Sequence, residues 1–400
     1  MVFPLTAVEA DSLQLLDFFW YYYKQKADRY LGKMERGYAQ ESEKNHHGEW
    51  PWTVKGKASH KRIAEAGKIG LLGCGTGIHD ALRLFRENYD LAMLTGEARY
   101  FDNAERILYN DILHYWAMVE NGQHIDDDTS PKTIRQVAHL LRSAGSMAYA
   151  VSGRHIYVNL LAKGLVHLKN GEIEAYIQSV NSSPWYYDTT LRFQLDNTLF
   201  QMDDSQVIDD YTRVFFHDST TANRGALAQD SVRATLHIRI PSWVNGKNML
   251  EGYKATGGRG HVQIFVNGHL VIPRMSHGYA VVSGVWGARD MIAVKLPTPI
   301  LRVRKTDEDG QASVGDKPSQ VALQRGPLVY CLEADGEAPV SFRPSSAVRH
   351  SFSKEDSCVV LRVPVESARG RDTVRAIPYY KSGNSADKSG KGNVIFMNTK

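Results

Sequence analysis

The sequence predicts a mixed fold in two successive parts, a helical part over residues 1–168 and an all-β sandwich region over residues 169–400. Three observations predict it. Apolar residues recur at three-and-four spacing through the first part, the period changes to two from about Gly171, and Gly- or Asn-terminated short runs then follow one another to the C-terminus.

Leu13, Leu16, Trp20 and Tyr23 predict a first amphipathic helix. Ile78, Leu82, Phe85, Tyr89 and Ala92 predict a second, and Ile134, Val137, Leu141, Ala144 and Ala148 a third. Between the first two lies ERGYAQESEKNHHGEWPWTVKGKASHKR, polar, punctuated by glycine and too long for an idle connection, which predicts a functional loop. In the second part TLHIRIPSW places Leu236, Ile238 and Ile240 inward and His237 and Arg239 outward, and Ile292, Val294 and Leu296 alternate in the same way. VQIFVNG and YAVVSGVW add strands, leaving room for two small β subdomains. A Gly/Ser/Lys-rich stretch at 381–392 predicts a loose segment before a last short strand.

Composition excludes several function classes. The chain has 48 basic and 44 acidic residues, a net charge of +4 without a basic stripe, so no nucleic-acid partner is expected. No run of about 18 uncharged apolar residues occurs, and the N-terminus has no basic region ahead of an apolar one, so neither a membrane span nor a secretory signal is read. Cys74, Cys331 and Cys358 lie far apart with no C-x-x-C spacing, which points away from a disulfide framework and toward a reducing, cytoplasmic compartment.

The segment KIGLLGCGTGIHD, residues 68–80, carries a glycine triplet like that of S-adenosylmethionine-dependent methyltransferases. That remote reading lacks two requirements: Leu71 stands where an acidic residue is needed, and no alternating strand and helix pattern follows. The glycines instead predict a tight turn leading into the helix that starts at Ile78.

SSPWYYDTTLRFQL, TLHIRIPSWV, IFVNG, YAVVSGVWGARDMIAVKLPTPILRV, VALQRGPLVYCLE and RAIPYY occur in this order, and Pro241 and Pro327 sit where ordinary strands lose a ladder bond. Upstream are LTGEARYFDNAERILYNDIL and SPKTIRQVAHLLRSAGSMAYAVSGRHIYVNLL. Together these segments resemble glycoside hydrolase family 127, the β-L-arabinofuranosidase type. The resemblance implies that the helices are the late part of an (α/α)6-type barrel and that members are longer at the N-terminus. The helix faces this leaves uncovered predict a homo-oligomer.

The resemblance also implies a site. Family members use a cysteine nucleophile held on zinc by Glu-x-Cys and Cys-Cys pairs, with a separate glutamate as acid/base. Cys74 matches one zinc-binding cysteine, while Leu72 replaces the glutamate and Thr129 and Ser130 stand at the Cys-Cys pair, so the implied zinc lacks most of its ligands. His46, His47, His79 and Asp126 to Asp128 are the other ligand-type residues nearby in sequence. HHGEW matches the acid/base segment and makes Glu49 the candidate acid, its carboxyl desolvated by Trp50 and Trp52. Those tryptophans, with His46 and His47, are the candidate contacts for a carbohydrate substrate. Glu105 in AERILYN matches a family glutamate near the substrate and is the second candidate catalytic carboxylate; an ion pair within its helix is the alternative. Two outcomes are therefore expected: an active glycoside hydrolase, or a diverged, non-catalytic relative that binds carbohydrate or a partner.

Overall fold

The computed structural model describes residues 6–7, 13–15, 26–27, 29, 77–122, 130–143, 147–160, 164–169, 174–181, 211–217, 232–244, 253–258, 261–286, 290–305, 320–333, 341–343, 346–353, 355–356, 358–367, 370–382, 393–394 and 397–399.

Helix α1 spans Ile78–Thr95 and buries all five residues whose spacing predicts it, Ile78, Leu82, Phe85, Tyr89 and Ala92. It stops at Gly96, which adopts φ 67 and returns its N–H to the Ala92 carbonyl, a conformation that costs a side-chain-bearing residue. Helix α2 begins at once, running Ala98–Ile107, through a π-helical turn at Leu108–Ile112, and on as Leu113–Glu120. Phe85 stacks on Tyr89, and Tyr89 meets Phe101 edge-on at 5.9 Å, which packs the two helices together. Helix α3 is Pro131–Ser143, capped by Ser130, whose hydroxyl oxygen accepts the Thr133 N–H at 3.2 Å.

Three sheets follow. The first orders its strands Thr6–Ala7, Tyr149–Ser152, His155–Val158, Val232–Arg239, Tyr279–Trp286 and Arg274–Ser276; only the third and fourth of these run parallel. The second is antiparallel throughout, His269–Val271, Gln263–Val266, Met291–Lys295, Tyr211–His217, Glu174–Asn181, Gly164–Lys169 and Leu13–Leu15. The third has ten strands, and Leu328–Glu333 pairs with both Gly370–Pro378 and Gln320–Arg325, which brings that sheet back on itself. Buried side chains from all three sheets and from α1, α2 and α3 form one contiguous core.

Four expectations are corrected. Leu13–Leu15 is not helical but pairs in register with Gly164–Val166, because an open sheet edge offers the Leu-Gln-Leu backbone ladder bonds that a marginal local helix cannot match. The third helix ends at Ser143, short of Ala148, since the chain from Tyr149 is already paired in the first sheet. Strand structure accordingly begins ahead of residue 169. Arg239, placed outward by alternation, is fully buried, for the reason given below. Among the described residues the helical part comprises α1 to α3, the four-residue helix Tyr379–Ser382, a 3-10 turn at Ser242–Val244 and helical residues at 26–27 and 29, and no helix is long and apolar enough to cross a membrane.

Candidate functional site

The charged centre of the structure lies where α2 meets the first sheet. Glu105 and Asp102 sit on neighbouring turns of α2, and both point at Arg239, the last residue of the strand Val232–Arg239. Glu105 Oε1 accepts from Arg239 Nη2 at 2.6 Å, and Oε2 accepts from Arg239 Nη1 and from the Trp243 indole N–H, each at 3.2 Å. Asp102 takes Arg239 on one oxygen and the Ser242 backbone N–H at 3.0 Å on the other. Arg239 Nε donates to the Asn159 carbonyl, whose side-chain oxygen accepts the Tyr279 hydroxyl at 2.8 Å. Arg106 donates to the Ser242 hydroxyl at 2.8 Å, so two carboxylates and two guanidiniums balance one another.

Exposure decides what this group can do. Glu105 is 1% exposed and Arg239 0%, and Trp243 is fully enclosed beside them. Burial pushes the Glu105 carboxyl upward while the adjacent Arg239 opposes that rise. Burial works against the charge of Arg239, but Glu105 and Asp102 outweigh it and hold the guanidinium protonated. With every Glu105 oxygen engaged, the arrangement is a bidentate clamp between helix and sheet.

Strand alternation misassigns Arg239 because it assumes that the outer face of this sheet is wet. His237 and Arg239 do share that face, but α2 covers its Arg239 end: the Ala98 N–H bonds to the His277 carbonyl at 2.9 Å, and Gly278 leaves space for the Ala98 side chain. Asp102, Asn159, Trp243 and Tyr279 are likewise unmarked by periodicity. The available signal is the strand end Arg-Ile-Pro-Ser-Trp, where Pro241 stops the ladder and turns Ser242 and Trp243 toward α2.

Of the sequence-predicted site residues, the structure places Glu105 in this clamp. Glu49, Trp50, Trp52, His46, His47 and Cys74 lie outside the described residues, as do Leu72, Thr129 and Asp126 to Asp128. His79 is exposed on the first turn of α1. Ser130 uses its hydroxyl on Thr133, its Oγ lying 2.8 Å from Thr133 Oγ1. A serine committed to a helix cap, preceded in sequence by Thr129 and matched by resemblance with Leu72 and Cys74, does not make up the zinc donor set that the resemblance implies. Among the described residues no group of three or more His, Cys, Asp or Glu is placed to hold a metal ion.

This architecture and sequence match known carbohydrate-active proteins. The family profile described as "Beta-L-arabinofuranosidase, GH127 middle domain" matches residues 155–298, and "Glycoside hydrolase family 127 C-terminal domain" matches residues 309–391. The chain belongs to the glycoside hydrolase family 127 type. It is similar to the non-reducing end beta-L-arabinofuranosidase of Bifidobacterium longum, 26% identical over 195 residues, covering 42% of this chain and 27% of that protein. Among solved structures it resembles a GH127 beta-arabinofuranosidase, with a TM-score of 0.61 and 20% identity over 81% of this chain and 49% of that one. It also resembles a GH127 beta-L-arabinofuranosidase from Geobacillus stearothermophilus T6, with a TM-score of 0.59 and 19% identity over 81% of this chain and 50% of that one. The chain thus spans about half the length of those solved relatives and 27% of the curated one.

Proposed function

We propose that this chain is the sandwich-bearing part of a glycoside hydrolase that releases terminal sugar residues from plant or microbial glycans. The observation that carries the reading is the succession of the family's middle and C-terminal domains on one chain, downstream of the helix that holds Glu105. A β-L-arabinofuranoside is the first substrate class to test, because the relatives are described as acting on that class.

In this reading α1 to α3 belong to an (α/α)6-type barrel, and the Glu49 loop faces the sugar. Glu49, which the resemblance makes the acid, is followed in sequence by Trp50 and Trp52, and desolvation by apolar neighbours is the means by which a carboxyl is kept protonated to donate to a glycosidic oxygen. Trp50 and Trp52 are the residues assigned to stack on the sugar ring in this proposal, and His46 and His47 those assigned to bond its hydroxyls. Glu105 acts as a positioning residue: clamped by Arg239 and Trp243, it fixes α2 against the first sheet. The zinc implied by the family is not fitted by the residues at its positions, so no step is derived through it.

A second reading, a non-catalytic relative that binds carbohydrate, is favoured by one observation: Ser130 stands at a nucleophile-pair position and serves as a helix cap. One experiment separates the two. Purified protein is assayed for p-nitrophenol release from a panel of nitrophenyl furanosides and pyranosides, together with metal analysis and oligosaccharide binding. Turnover that disappears in a folded Glu49→Gln variant supports the hydrolase; binding without turnover assigns the second reading; neither turnover nor binding overturns both. Stoichiometric zinc that is lost in Cys74→Ser overturns the interpretation of Thr129 and Ser130.

A further inference from the structure

The outer face of the first sheet is covered by α2 only at its Arg239 end. Beyond that, register lines up Tyr157, His237, Val281 and Arg274 across four neighbouring strands, with His155, Thr235 and Ser283 in the next row. His155 is exposed and His237 and Tyr157 are half-buried, so this row meets solvent. His155 Nδ1 lies 3.0 Å from His237 Nε2.

We propose that His155 and His237 form a two-imidazole site for a divalent transition-metal ion, such as zinc or copper, with solvent completing the coordination shell. The 3.0 Å contact is a hydrogen bond between the two rings in the metal-free chain; two nitrogens about 2.1 Å from a metal lie about 3 Å apart at the right angle of a square-planar copper site and about 3.4 Å apart at the tetrahedral angle of zinc, so a metal replaces the shared proton with little or no movement of the rings. Imidazole is the ligand such ions favour, and it must be unprotonated to bind them. The site is also preorganised. The His237 ring stacks on Tyr157 at 4.2 Å with an interplanar angle of 12°, and Tyr279 meets both Tyr157 and His237 edge-on. His237 titrates low, at about 4, through partial burial and the neighbouring His155, Arg274 and His277, so it is a free ligand at neutral pH. The Arg274 guanidinium nearby opposes a metal charge, which with only two imidazoles sets the affinity below that of a three-histidine site.

The inference is independent of the hydrolase reading and uses none of the family's zinc positions. The probes are the metals alone. Tag-free protein is titrated with Zn2+ by calorimetry and with Cu2+ by electron paramagnetic resonance, alongside His155→Gln, His237→Gln and His277→Gln variants. The chain has 15 histidines, so the reading is the difference between variants. The expected result is one metal equivalent, with copper coupled to two nitrogens, that is lost in His155→Gln and in His237→Gln and retained in His277→Gln. Zinc should raise the Tm of wild type and not of His155→Gln, each read against its own metal-free Tm. An unchanged metal equivalent, or an unchanged zinc-induced Tm rise, in His155→Gln overturns the site, whether or not His237→Gln folds.

Discussion

The fate of individual side chains is set by what their neighbours do with charge. Removing Arg239 leaves Glu105 and Asp102 buried without a counter-charge, so Arg239→Met should cost about 3–5 kcal/mol, read as a lower urea midpoint at constant m-value. Glu105→Gln should cost less, because the amide oxygen still accepts from Trp243 and Asp102 still pairs Arg239. That variant also tests the proposed positioning role: under the proposed hydrolase reading, folded protein should retain turnover within a few-fold, whereas a carboxylate that takes part in the chemistry loses turnover without a matching loss of Tm. His237 gives a pH dependence with a definite sign. Its titration falls from 6.5 to about 4 on folding, so between these values the unfolded chain binds the proton and the folded one does not. Stability should therefore fall as pH drops through this window, and a series of melts in His237→Gln should show a shallower fall.

At the level of elements, α2 is the piece on which the others are fitted, and its π turn is the reason. Widening the helix there directs Asn110 into the third sheet, where its amide donates to the Pro327 carbonyl at 3.0 Å and accepts the Val329 N–H at 2.9 Å. Asn110→Leu leaves both backbone groups buried and unpaired, at about 1–3 kcal/mol each, and chemical denaturation should report a loss of that size. The N-terminal end of α2 is fitted as closely. A Cβ on Gly278 comes 2.6 Å from Ala98 Cβ, and Gly278 has φ +85. Gly278→Ala should thus destabilise on two counts, and adding Ala98→Gly should recover only the steric part, leaving about 1–2 kcal/mol of backbone cost.

These contacts also explain how much was legible in advance. The face of α1 was readable because its burial is one-sided, and a 3.6-residue period records one-sided burial directly. The strand Val232–Arg239 was readable as a strand for the same kind of reason, through Leu236 and Ile238. Arg239 was not, because its environment depends on a helix more than 100 residues away in sequence, and alternation carries no information about what covers a face. Leu13–Leu15 was misread because three residues hold too little pattern to compete with a sheet edge supplied by Gly164–Val166. Glu105 was singled out through resemblance, while its bonding partners emerged only from the fold.

Among the described residues, α2 is joined to the sheets by several separate contacts. The Glu105–Arg239 clamp ties α2 to the first sheet, Asn110 ties the same helix to the third, and His114 near its end stacks on Tyr379 at 4.2 Å. Apolar side chains from all these elements belong to one contiguous core. A structure coupled through one helix should lose that helix and its sheets together. Urea unfolding followed by far-UV circular dichroism and by tryptophan fluorescence should therefore give coincident transitions, since Trp116 lies in α2, Trp243 just after the strand Val232–Arg239 and Trp286 at the end of a strand of the first sheet. Arg239→Met attacks one tie and leaves Asn110 in place, so it should lower the common midpoint without splitting it. Combining it with Asn110→Leu removes two of the three ties, and the two probes should then separate. Separate transitions already in the wild-type chain would mean that the sheets hold together without α2, and that the clamp is a local contact rather than the joint of the fold.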